Sequence, residues 1–123
     1  MSVPIGYVAI DSTIYRIHQD QKKFNFVDKR PHGYVNHFTN EIHIAPGLSG
    51  TIRLKTLFHE IVHIWNKWRL GNVLAESHCD QLAGAMFSLL YENPFISETI
   101  NEIREKDDIE LRGDNNEETD NRD

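Results

Sequence analysis

The stretch TIRLKTLFHEIVHIWNKWR, residues 51–69, decides how this chain folds. Leu54, Leu57, Phe58, Ile61, Ile64, Trp65 and Trp68 recur at three- and four-residue intervals, the period of one helix face, and Ser49 and Thr51 offer N-cap side chains. The spacing predicts a helix near residues 51–69. Inside it, His59-Glu60-Ile61-Val62-His63 is an instance of H-E-x-x-H. At roughly 100° per residue, His63 lies only about 40° round the axis from His59, so the two imidazoles project together and can share one zinc ion. Glu60 sits about 60° from His63 on the same wheel, where its carboxylate can act as a general base on water without binding the metal. Leu57, Ile61, Ile64 and Trp68 gather on the opposite side. One side of the helix therefore packs and the other faces a cleft.

Beyond this helix Gly71-Asn72 is a break, and Val73 to Tyr91 resumes helical spacing until Asn93-Pro94 ends it. Glu76 lies thirteen residues past His63, and Asp80 follows one turn later on the same face. A carboxylate is an acceptable zinc ligand, and a carboxylate behind a ligating imidazole fixes its tautomer. We assign Glu76 as the third ligand and Asp80 as the acid behind the imidazole, although the spacing also admits the reverse order. Cys79 reads more simply as a small core residue, and His78 points about 200° away from Glu76.

On the N-terminal side, GYVAIDSTIYRI (Gly6–Ile17) is β-branched and aromatic, with Asp11-Ser12 as its turn, and YVNHFTNEIHI (Tyr34–Ile44) turns near Thr39-Asn40. Two hairpins are expected, joined by a polar, basic loop from Gln19 to Arg30 with Phe24, Phe26 and Val27 as anchors. A weaker third helix runs from Ser97 to about Lys106. The last segment, DDIELRGDNNEETDNRD, is too charged to offset its ordering entropy and reads as a disordered tail. The expected organisation is one α+β domain over residues 1–106, with a mostly antiparallel sheet packed on two ligand-bearing helices and a short third helix, followed by the acidic tail 107–123.

The 123 residues are 39% apolar and 26% charged, which excludes collagen-like and wholly disordered classes. The net charge of −6 resides in residues 107–123, with eight acidic and two basic side chains, so the remainder is formally neutral and gives direct nucleic-acid binding no support. No apolar run approaches the roughly 20 residues of a membrane span. The single cysteine and the lack of a signal-like start point to the cytoplasm.

HEIVH followed by ESHCDQLAGAMFSLLYENP (residues 76–94) resembles the ImmA/IrrE family of small bacterial and phage zinc metallopeptidases. Glu76, Cys79, Asp80, Leu82, Ala83, Leu89, Leu90 and Pro94 can be laid along that family's second helix, with Leu82 in place of the usual Phe. The resemblance covers about residues 41–94. It implies a zincin-like fold in which His59, His63 and Glu76 bind zinc and Glu60 activates water. Asp80 also resembles the supporting acid of thermolysin-like gluzincins. The resemblance further implies a specific cytoplasmic protein substrate, such as a helix-turn-helix transcriptional repressor.

Two competing readings follow from the same residues. An SprT-like, DNA-associated protease would need a third His ligand, for which only His78 is available downstream, and a zinc-stabilised interaction module would keep the metal without catalysis. A donor to the reacting carbonyl oxygen has four candidates, Tyr34, His37, His43 and Tyr91, among which the sequence does not choose. Glu41–Ile44 is the expected strand for a bound peptide. Lys55 and Asn66 fall at the edge of the histidine face, where solvated positions suffice to explain them. Trp65 and Trp68 are expected in the core.

Overall fold

A computed structural model of the chain describes residues 3–19 and 32–122, with side chains as far as Leu111. It is α+β, a four-stranded mixed sheet with three helices. The expected loop from Gln19 to Arg30 lies, apart from Gln19 itself, outside the described residues.

The first hairpin joins β1 (Gly6–Ile10) to β2 (Thr13–His18) through Asp11 and Ser12, whose φ angles of 48° and 71° are both positive. Two such residues in a two-residue loop match the right-handed twist of the flanking strands. The second hairpin joins β3 (Gly33–Asn36) to β4 (Glu41–Ile44). Here Asn36 Oδ1 accepts from the Phe38 and Thr39 amides at 3.0 and 3.2 Å, and Asn40 closes the turn at φ 55°.

The strand order is β1-β2-β4-β3, and β2 pairs with β4 in parallel, Ile17 opposite Ile42 and His18 opposite His43. Each hairpin is antiparallel as expected, but their junction makes the sheet mixed. It also corrects the expectation for Glu41–Ile44: β4 has a neighbour on both sides and no edge to offer a peptide. Among the described residues the edge strands are β1 and β3.

Strand alternation sends Tyr15, Ile17, Ile42 and Ile44 to one face, where they pack against Ile61 and Ile64 of α1 (Gly50–Trp68). Ser49 caps α1, its Oγ accepting from the Ile52 amide at 3.3 Å. A second cluster, Val62, Cys79 and Ala83, flanked by Phe58, Trp65, Leu74 and Met86, joins α1 to α2 (Glu76–Glu92). Cys79 is thus the small core residue expected. Trp65 borders both clusters, but Trp68 is 62% exposed, against expectation. It lines a shallow pocket with Ile10, Thr13 and Tyr15 of the first hairpin, and Arg69, next in the chain, pairs with Asp11 at 2.8 Å.

The chain divides into two compact units, Met1–Phe87 and Ser88–Asp123, and all the packing above lies within the first. In the second, α3 runs from Pro94 to Arg122, so the boundary expected near residue 106 falls inside a helix. The supposed disordered tail is helical to Arg122. Pro94 opens the helix at the position that tolerates it, and no proline follows. The Glu, Ile, Arg, Lys and Leu of residues 98–112 favour helix strongly enough to carry it past Lys106. Among the described residues no helix is long and apolar enough to cross a membrane.

Candidate metal centre

His59 and His63, one turn apart on α1, turn their Nε2 atoms to within 2.9 Å of each other. Glu76, in the first turn of α2, closes the group: its Oε1 lies 2.9 Å from His59 Nε2 and its Oε2 lies 3.1 Å from His63 Nε2. Two nitrogen lone pairs and a carboxylate that converge on one point suit a single divalent cation. With metal–ligand distances near 2.0–2.1 Å, tetrahedral ligands stand about 3.3 Å apart, close to the spacing seen here. The chemistry of the set, two imidazoles and one carboxylate, fits zinc without singling it out.

Asp80 lies behind the group. Its Oδ1 is 2.8 Å from His59 Nδ1, off the line of an aligned hydrogen bond yet close enough to favour a proton on Nδ1. That tautomer leaves the Nε2 lone pair for a metal. The geometry separates the two acids whose order the spacing left open: Glu76 faces both Nε2 atoms and Asp80 faces Nδ1. His78 is exposed and outside the group. Burial, with the carboxylates of Glu76, Asp80 and Glu60 nearby, pushes the Cys79 thiol up, the opposite of what a thiolate ligand requires.

Glu60 is 5% exposed. Burial pushes its carboxyl up to about 7, with His59 pulling it down and Glu76 adding to the rise. A bound cation would lower it again. The close approach of β3 makes this burial possible. A Cβ on Gly33 would stand 2.9 Å from the His43 carbonyl oxygen and from Thr56 Cγ2, and 3.3 Å from Glu60 Oε2, so only glycine lets the edge strand come this near to α1.

A cleft of about 390 Å³ opens between β3 and the His59–His63–Glu76 group, lined by His32, Gly33, Tyr34, Val35, His37 and Thr56 together with His59, Glu60, His63 and Glu76. Of the four expected donors, His43 is on the far side of the sheet, its Nε2 3.1 Å from Glu41 Oε1 and its ring stacked between Tyr34 and His18. Tyr34 contributes to the cleft rim, but its ring belongs to that same stack, and Tyr91 is not among the described residues that line the cleft. His37 remains. Its ring meets Trp68 edge-on at 6.2 Å, and burial, then Lys67 and His63, hold its pKa below the usual histidine value.

Asn66, expected at a solvated edge, is buried and binds the link between the helices. Lys55 is exposed, its Nζ 5.2 Å from the centre of the Phe87 ring. Sequence reasoning missed Gly33 and Asn66, for neither carries a local signal of the contact it serves. Comparison with protein-family models, curated proteins and solved structures gives no match for this chain.

Proposed function

We propose that this chain is a zinc-dependent endopeptidase of the gluzincin type, cutting a peptide bond in a specific cytoplasmic protein. The observation that carries this reading is the convergence of His59, His63 and Glu76 on one point, with a buried Glu60 beside them and, among the described residues, a sheet edge across the cleft. A zinc ion held by those three side chains would supply Lewis-acid polarisation of the scissile carbonyl and a more acidic water.

The chain's own residues supply the rest. Glu60 takes a proton from the attacking water as its oxygen bonds to the carbonyl carbon, then passes that proton to the amide nitrogen as the C–N bond breaks. Asp80 holds His59 in the tautomer that presents Nε2. The edge of β3, unpaired on its cleft side among the described residues, can hydrogen-bond an extended peptide across Glu60.

The resemblance to ImmA/IrrE peptidases makes a helix-turn-helix repressor the class of substrate to try first. The SprT-like reading loses support because Glu76, and not His78, stands with the two histidines. The test is Glu60→Gln in zinc-loaded protein, assayed by mass spectrometry against a peptide library and repressor domains. Cleavage by wild type that disappears in the variant with zinc retained supports the peptidase. A zinc-loaded wild type that cuts nothing favours a metal-stabilised interaction module.

A further inference from the structure

We propose that His37 donates the hydrogen bond that stabilises the oxyanion formed when the peptide carbonyl is attacked, an assignment that rests on the peptidase reading above. Charge develops on that oxygen only in the transition state, so a donor fixed at the cleft in advance accelerates the reaction without tightening the ground state. Most side chains at the cleft are unsuited to this. Glu60 and Glu76 are acceptors when ionised, Thr56 Oγ1 already donates to the Ile52 carbonyl at 2.7 Å, and the Tyr34 ring is stacked on His43 across the sheet. His32 is exposed and has the strand parity of Tyr34.

His37 follows β3 by one position, in the turn, and lines the same cleft as Gly33 and Val35. Its Nδ1 is sealed from solvent and meets no hydrogen-bond partner among the described residues. An unbonded N–H is a rarer burial than an unbonded acceptor, which favours the tautomer with the proton on Nε2. Nε2–H is then the polar group the ring offers to the cleft that it lines with His59, Glu60 and His63. Trp68, placed outside the core on the last turn of α1, braces the ring edge-on. The edge-on contact with Trp68 and the burial of Nδ1 together fix the ring in place.

The experiment uses the zinc-loaded full chain and two peptide probes of the same sequence, a phosphonamidate that mimics the tetrahedral adduct and a thiol that binds the metal alone. His37→Phe keeps a ring against Trp68 and removes the donor; His37→Gln restores one. The expected result is that His37→Phe weakens the phosphonamidate by about 100-fold, leaves zinc content and thiol affinity unchanged, and is partly rescued by His37→Gln. Equal phosphonamidate affinity in wild type and His37→Phe overturns the assignment, as does equal weakening of both probes. A wild type that binds neither probe removes the metallopeptidase reading itself, and this assignment with it.

Discussion

Asn66 grips the main chain of Leu74 from both sides: its Nδ2 donates to the Leu74 carbonyl at 3.1 Å, and its Oδ1 accepts from the Leu74 amide at 3.0 Å. The side chain is buried, and its own carbonyl accepts from the Asn72 amide at 2.6 Å. A primary amide is one of the few groups that can pair with both polar atoms of a residue, as a neighbouring strand would. Asn66 follows His63 by one turn and Leu74 precedes Glu76 by two residues. The bracket therefore ties Glu76 to the helix that carries His59 and His63, and it keeps Val73 and Leu74 out of the helix that periodicity assigned them.

Asn66→Ala should then do two things. Leaving the Leu74 amide and carbonyl unpaired costs about 2 kcal/mol of stability, and freeing the link weakens zinc binding by about 10-fold or more, as for other residues that orient ligands. Urea melts of metal-free protein and a competitive zinc titration measure the two effects separately. Unchanged affinity with reduced stability would mean that Glu76 positions itself.

Glu76→Ala should lose most of its zinc, while Asp80→Ala should still bind one ion at saturation with affinity about 10- to 100-fold weaker. Metal analysis of purified protein followed by chelator competition distinguishes them. If Asp80→Ala behaved as the ligand variant, the assignment of the two acids would be reversed.

The buried Glu60 makes metal-free stability depend on pH. Its folded pKa of about 7 stands above the ordinary 4.5, so the folded state binds the proton more tightly than the unfolded state. The associated stability is complete below pH 4.5 and is lost as pH rises through 7. Glu60→Gln carries no such loss. The variant should therefore gain on wild type across that interval, by about 3 kcal/mol at pH 8 relative to pH 4. Denaturant melts at both pH values check this, and parallel curves for the two proteins would contradict it.

Gly33→Ala should destabilise the fold by about 1–3 kcal/mol, because the new methyl meets the His43 carbonyl, which is main chain and cannot swing aside. It should also shift Glu60 and lower turnover with zinc content preserved. Thermal melts and metal analysis report the first effect, and a cleavage assay reports the second.

Much of the candidate site was legible in local sequence. The i, i+4 spacing of His59 and His63 on an amphipathic helix brings two imidazoles together whatever surrounds them, and Ser49 capping and the positive-φ turn at Asp11-Ser12 depend only on neighbouring residues. Periodicity likewise placed α1 within a residue at each end and Cys79 in the core. Other features depend on contacts between segments distant in the chain. The parallel pairing of β2 with β4 took Glu41–Ile44 away from the sheet edge and left β1 and β3 as the edges among the described residues. The choice of Glu76 over Asp80, the burial of Asn66, the exposure of Trp68 and the need for glycine at position 33 likewise follow from how α1, α2 and β3 approach one another. Sequence alone determined α1, the two hairpins and the paired histidines, because helical period and turn chemistry are short-range. Only the tertiary structure decided strand order and which acid meets which nitrogen, because those are settled by packing between segments whose separation in sequence carries no trace of their separation in space.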